Sequence, residues 1–439
     1  MVRRLNNRDA AFEADFSDLL ALKREQSVDV DDAVRAIIAD VRKRGDAALA
    51  DYTQRFDGVA LEAGKIRLDE SEIERIIATA DEKALRALHF AASRIEAYHR
   101  RQLPADDSFT DETGAHLGHR WTAIESVGLY VPGGQGSYPS SMLMNAIPAK
   151  VVGVPRIAMC VPTPQGRVDP LVLAAAKLGG VQEIYPIGGA QAVAALAYGT
   201  ESVKPVAKIM GPGNAYVAAA KRQVFGKVGI DMIAGPSEVL IVADGDSNPQ
   251  WVASDLLAQA EHDEAAQAIL ITDDPAFADA VQAAVSEQLA TLPRGNVAGT
   301  SWSNNGAIIL VGDLGESPPL VDRIAPEHLE LETQRADELL KVIRNAGAIF
   351  IGSHTPEAIG DYVAGSNHVL PTARSARFSS GLNVLDFMKR TSILQLNADS
   401  LAVLGPAAMT LARAEGFEAH RRSIAIRLGI GETADDGGD

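Results

Sequence analysis

The sequence predicts an α/β protein of two doubly wound domains, and three observations carry that prediction. At 439 residues the chain exceeds what one ordinary hydrophobic core holds, so two or more domains are expected. From Ser126 onward, short strand-like apolar runs alternate with helical stretches, the pattern of a mostly parallel sheet covered on both faces. A second series of such runs begins at Glu238-Val-Leu-Ile-Val. An apolar content of 46% with 38 glycines and 21 prolines fits a globular chain and excludes a disordered one.

Residues 1–27 are mixed and polar and read as an arm that packs on something else. From 28 to 102 the pattern is helical. Asp31-Asp-Ala-Val-Arg-Ala-Ile-Ile and Glu70-Ser-Glu-Ile-Glu-Arg-Ile-Ile each combine an acidic start with one apolar stripe, and 83–102 form a longer amphipathic helix. His89 and His99 lie on that helix, His116 and His119 follow in a polar turn, and all four read as structural or solvated. The strand Ser126-Val-Gly-Leu-Tyr130-Val enters the turn Pro132-Gly-Gly-Gln-Gly-Ser-Tyr-Pro. A helix follows, then a strand at 156–161, a helix at 169–178, the strand Glu183-Ile-Tyr-Pro-Ile and a helix from Ala190. Ile209-Met-Gly-Pro-Gly-Asn214 opens another helix. The second series has strands at Glu238, 267–272, 306–311 and 347–351. The expected division is a 130–236 domain, a 28–129 with 237–381 domain and a 382–439 segment. That last segment is strand-like at 381–390, helical to Leu428, and ends in an acidic tail from Thr433. No internal repeat is visible, although the two series could be related in fold.

A net charge of −17 excludes nonspecific binding to nucleic acid or anionic membranes, which needs clustered Lys and Arg. The single cysteine, Cys160, rules out an intrachain disulfide and a multi-cysteine zinc site. It sits in the run Arg156-Ile-Ala-Met-Cys160-Val and reads as a buried strand residue. The N-terminal residues lack the apolar core of a signal peptide, and no apolar run approaches ~18 residues, so a cytoplasmic protein is the expectation.

Asp255-Leu-Leu-Ala-Gln259-Ala-Glu-His262 carries the first chemical signal. Asn248-Pro249 reads as a helix start, placing Gln259 and His262 in the last turn, where residues three apart share a face. An amide oxygen and an imidazole suit a borderline cation such as zinc, but alone the segment reads better as a helix end where Gln caps a carbonyl and His faces solvent. Gly188-Gly-Ala-Gln191 and Gly211-Pro-Gly-Asn214 lead from strands into helices, where backbone amides attract phosphate. Neither is a complete dinucleotide fingerprint, and tight structural turns explain them as well. Ala325-Pro-Glu327-His328 offers two bases of different strength, or else a proline-initiated helix turn. Asp361 and His368 share a Gly-bounded loop, and Glu415 and His420 stand near the C-terminus. Five of the nine histidines follow residue 260, three of them next to Glu, Asp or Asn and a fourth, His420, two residues past Glu418. Together these form a constellation typical of a metal site with acid–base groups.

On these motifs the chain resembles the histidinol dehydrogenase family. The resemblance is carried by Val127-Gly-Leu-Tyr130-Val-Pro-Gly-Gly, the two Gly turns, Ala234-Gly-Pro-Ser237-Glu and Gln259-Ala-Glu-His262. It continues through Ala325-Pro-Glu327-His328-Leu, Asn367-His368-Val-Leu-Pro-Thr, Ser379-Ser-Gly-Leu and Glu415-Gly-Phe-Glu-Ala-His420, in the family's order over most of the chain. It implies two Rossmann-like domains, with small N- and C-terminal segments exchanged in a homodimer with shared active sites. It implies one zinc ion per subunit, held by Gln259, His262, Asp361 and His420, and bases at Glu327 and His328. Substrate contacts would come from Ser237, His368 and Glu415, with the zinc ligands and His328 also touching substrate. Tyr130, Gln191 and Asn214 would contact NAD. His420 and Glu415 would reach the site from the partner subunit.

The implied reaction is oxidation of L-histidinol to L-histidine through bound histidinal with two NAD. His328 would take the hydroxyl proton, and Glu327 would activate the water that hydrates the aldehyde. Other readings are a relative acting on another small polyol or amino alcohol, a zinc hydrolase, and a binding protein without catalysis. The hydrolase would leave the Gly turns idle, and the binding protein would leave the paired bases idle.

Overall fold

The computed structural model describes residues 2–22, 30–132, 138–232 and 235–430. The turn read at 133–137, Ala234 of the Ser237 motif and the acidic tail lie outside the described residues. The chain divides into two compact units, 1–102 with 124–387 and 103–123 with 388–439.

The larger unit holds two sheets in which every pairing is parallel. One has five strands, Val127–Tyr130, Ile157–Cys160, Glu183–Tyr185, Lys208–Met210 and Gly229–Ile230. Counted along the chain, their spatial order is 3-2-1-4-5. The other contains Glu238–Ala243, Gln267–Thr272, Ala307–Leu310, His328–Glu332 and Ala348–Ile351 in the same 3-2-1-4-5 order. Arg3–Asn6 adds an edge strand to this second sheet beside Ala307–Leu310. The two series are therefore related in topology, as the alternation allowed, without a repeat visible in the sequence. The mixed α/β architecture with parallel sheets is as predicted.

Apolar runs made these strands readable because both faces are covered: Glu238–Ala243 and Gln267–Thr272 are buried at every position. Cys160 is buried in its strand as expected, and burial pushes its thiol far up, out of the reactive range. Asn248 caps the Pro249–Ala260 helix by accepting from Gln250 N, and Asn214 caps Ala215–Val224 by accepting from Tyr216 and Val217 N. Each cap is worth about 1 kcal/mol.

Several readings are corrected. Residues 3–21 are not a detached arm in the chain described: the edge strand and the helix Phe12–Ala21 bury Leu5, Phe12, Phe16 and Leu19 in the core of the second sheet. The helices at 31–57, assigned to the 237–381 domain, pack instead on the five-stranded sheet, with Val34, Ile37, Val41 and Leu49 joining Tyr130, Cys160 and Leu196. An amphipathic stripe shows that a helix buries a face, not which sheet receives it. Residues 384–387 form a 3-10 turn and the strand begins only at Met388. His116 and His119 lie within the strand His116–Ala123, not in a turn.

The smaller unit is an antiparallel sheet of Asp107–Thr110, His116–Ala123 and Met388–Gln395, with helices Ala398–Ala414 and Glu418–Arg427 packed on each other. Within it Phe109, Leu394, Val403, Leu411, Phe417 and Ile426 are exposed. No helix among the described residues is long and apolar enough to cross a membrane.

Candidate active site

A cleft of about 1490 Å³ opens in the larger unit. On one side it meets the carboxyl end of the five-stranded sheet, through Gly211–Ala215, which follow the strand Lys208–Met210. On the other it meets the amino end of the second sheet, through Ser237, Glu327 and His328, which stand at the starts of strands. Ligands of open α/β sheets ordinarily sit beyond carboxyl ends. Only the first half of this cleft obeys that rule.

Pro326-Glu327-His328 is not a helix turn. A helix ends at Ile324, Ala325 caps it in the left-handed conformation (φ 48°), and the strand starts at His328. This abrupt helix-to-strand change places both bases at the strand's mouth, where the backbone of one residue of the neighbouring strand fixes them. Glu238 N donates to Glu327 Oε2 at 3.0 Å, and the Glu238 carbonyl oxygen faces His328 Nδ1 at 3.0 Å. A carbonyl only accepts, so Nδ1 carries the proton and Nε2 presents its lone pair. Nε2 is buried and has no hydrogen-bond partner, and it stands 3.9 Å from Asp361 Oδ1. Burial pulls the His328 pKa down to about 4, against the opposing pull of the Asp361 carboxylate. The result is a neutral imidazole with its basic nitrogen free.

Gln259 is buried in the last helical turn, but His262 lies just beyond the helix, past the Glu261 cap. The two still meet, with Gln259 Nε2 donating to His262 Nδ1 at 3.0 Å. That leaves Gln259 Oε1 buried without a partner. An orphaned amide oxygen next to an imidazole is a costly arrangement unless something accepts its lone pair. Asp361 sits in the short helix Glu357–Tyr362 rather than a loop, and its carboxylate lies 3.8 Å from His368 Nδ1. His368 Nδ1 donates to the Asp361 carbonyl at 2.8 Å, so Nε2 accepts from Ser141 Oγ at 3.2 Å. Burial lowers the His368 pKa.

His262, Asp361, His368, Ser237, Glu327, His328 and Asn214 all line the cleft. Tyr130 and Gln191 are buried beside its five-stranded side, and the Tyr130 hydroxyl oxygen accepts from Gly189 N at 3.0 Å. Burial pushes the Tyr130 phenol up to about 12. Glu415 and His420 belong to the smaller unit: Glu415 caps the Ala398–Ala414 helix, and His420 stacks on Phe417.

Sequence reasoning missed several supporting groups. The loop that bears His368 is held from outside. Arg94 donates to the carbonyls of Val363 and Ala364, and Asn367 Nδ2 donates to the Met144 carbonyl and to His99 Nε2. His99 is structural, as read, but fully buried. Glu357 is buried with Oε2 3.9 Å from His328 Nδ1, and nothing in its local pattern marked it. Asp255, Glu330 and Glu332 bring carboxylate oxygens within 4.8 Å of one another beneath the cleft. Burial raises all three, Asp255 to about 6 and Glu332 to about 8, so the group holds protons in place of a counter-charge. The alternation His328, Glu330, Glu332 along one strand face was the available signal.

A family model described as histidinol dehydrogenase matches residues 21–428. The chain is 66% identical over 432 residues to the histidinol dehydrogenase of Rhizobium meliloti (strain 1021), covering 98% of this chain and 100% of that one. It is 64% identical to that of Mesorhizobium japonicum, covering 97% and 99%. The crystal structure of histidinol dehydrogenase from Elizabethkingia anophelis superposes with a TM-score of 0.93 at 34% identity, over 98% of each chain.

Proposed function

The chain belongs to the histidinol dehydrogenase family and is an oxidoreductase, and on that premise we propose that it oxidises L-histidinol to L-histidine through bound histidinal, using zinc and two NAD. The observation that carries this reading is the Glu238 backbone. It holds a carboxylate by its N–H and a neutral imidazole by its C=O, with Nε2 aimed at the cleft beside Asp361.

The donor set fits zinc. Gln259 Oε1, His262 and Asp361 supply one amide oxygen, one nitrogen and one carboxylate, and the orphaned Gln259 oxygen wants such a partner. The all-carboxylate Asp255–Glu330–Glu332 group does not suit this ion as well, since it offers no nitrogen. The fourth ligand would be His420, with Glu415 reaching the substrate, both from the partner subunit. The exposed apolar residues of the smaller unit support an exchanged dimer. The 3-2-1-4-5 sheet supports a Rossmann-like cofactor domain, and a cleft above the usual 300–1,000 Å³ has room for cofactor beside substrate. When bound, zinc orients the substrate's amine and imidazole, and NAD accepts each hydride. His328 Nε2 takes the hydroxyl proton as the carbinol C–H bond breaks. The aldehyde is held in place; as water adds, Glu327 takes the water's proton and protonated His328 returns its proton to the carbonyl oxygen, so His328 is neutral again to take the hydrate's hydroxyl proton at the second oxidation.

NADH absorbance on mixing protein, NAD and histidinol tests the activity, and a second arm tests the metal. Chelation is expected to abolish turnover and zinc to restore it. Turnover that survives complete removal of zinc rejects the role of Gln259, His262, Asp361 and His420 in holding it.

The dimer has its own test. His262→Asn and His420→Asn proteins are each expected to be inactive. Mixed, unfolded and refolded together, they should recover part of the activity, because one site of a mixed dimer contains neither lesion. No recovery at good refolding yield removes the shared site.

A further inference from the structure

The cleft wall contains a buried ion pair that the reaction above does not use. Lys221, on the helix Ala215–Val224, is 3% exposed. Its ammonium group donates to the Gly211 carbonyl at 2.9 Å and the Met232 carbonyl at 2.9 Å and forms an ion pair with the carboxylate of Asp231. The other Asp231 oxygen, Oδ2, accepts from Gly211 N at 2.7 Å. The pair thus grips Gly211 by both its N–H and its C=O. Gly211 has a φ of +112°, and a side chain there would collide with the Tyr130 carbonyl, so the turn has little freedom of its own. Three residues on, Asn214 caps the helix that carries Lys221. Met232 and Ser237 both line the cleft.

We propose that Lys221 and Asp231 are a positioning pair for the nicotinamide cofactor, tying the Gly211–Asn214 turn to Met232 in the cleft wall. This rests on the cofactor site proposed above. Lys221 carries no free charge for a phosphate, since Asp231 neutralises it, so its contribution is geometric. A buried pair is a poor source of net stability, and its cost is consistent with a role in holding one geometry. A displacement of about 1 Å at a reacting centre can cost about 10²-fold in rate.

The test is the double variant Lys221→Gln/Asp231→Asn, which leaves no lone buried charge. The expected result is a folded dimer whose kcat/KM for NAD falls about 10²-fold, while KM for histidinol and zinc content stay within about twofold. A general structural role would move the two substrates together. If the double variant does not fold, Lys221→Arg carries the test. It keeps the charge pair, but a planar guanidinium cannot aim at all three acceptors, and the same split is expected. Unchanged NAD kinetics in a folded variant, or an equal rise in KM for both substrates, overturns the proposal. Asn214→Ala separates the two levels. If it raises the KM for NAD and the pair variants do not, the positioning role alone falls. If it too leaves NAD untouched, the cofactor assignment falls and this inference with it.

Discussion

Replacing His328 with asparagine is expected to slow both oxidations by ~10²–10⁴-fold, the usual loss on removing a positioned base. Asparagine can still donate to the Glu238 carbonyl, as Nδ1 does, so the strand mouth keeps its hydrogen bond. What disappears is the Nε2 lone pair. Burial holds the imidazole near pKa 4, below its ordinary ~6.5, so this base is neutral at neutral pH and charges only as pH falls through about 4. An ordinary imidazole loses its basicity near pH ~6.5; burial of the ring displaces that loss downward for His328. The sign for stability follows from the same shift. Between about pH 6.5 and 4 the unfolded chain binds a proton at this position that the folded chain does not. Stability from this group is thus complete above 6.5 and is lost as pH falls through that window. Single-turnover NADH formation, begun separately from histidinol and from histidinal, measures the catalytic loss. A variant impaired in one step alone shows that a second group serves as base in the other.

The parts of the fold that sequence made legible are those with short-range causes. Fully buried parallel strands write themselves as apolar runs, and Asn214 and Asn248 announce their helices because capping is a local hydrogen bond. What sequence left dark depends on pairing between distant segments. Nothing local shows that Arg3–Asn6 joins the edge strand Ala307–Leu310, or that the helices at 31–57 cover the first sheet instead of the second. The site divides in the same way. The motifs named the residues that meet in the cleft, because chemistry needs particular side chains. They could not assign the roles of Glu238, which acts through its backbone N–H and C=O, or of Ser141, Arg94 and Asn367, whose partners lie far along the chain. Glu327-His328 was ambiguous because a proline before an acid suits a helix start, and only the left-handed Ala325 turns the chain into a strand there.

Glu327→Gln is expected to slow oxidation of the aldehyde far more than oxidation of the alcohol. Alcohol oxidation needs one base, for the hydroxyl proton, and His328 Nε2 is the free lone pair aimed at the cleft. Aldehyde oxidation needs that base and also an activated water, because only the hydrate has a second hydride to give up. The Glu327 carboxylate is held by Glu238 N at 3.0 Å and lies in the cleft wall, close enough to His328 to share one substrate. Glutamine keeps an oxygen that accepts from Glu238 N, so the geometry survives while the ability to take a proton is lost. The histidinal half-reaction is therefore expected to fall ~10²–10⁴-fold. The histidinol half-reaction should fall much less, through the lost negative charge near an imidazole that becomes cationic in that step. The comparison is made within one protein, so errors in active-site concentration cancel. Equal losses in the two half-reactions reject the division of labour, leaving Glu327 as a group that steadies protonated His328 in both steps.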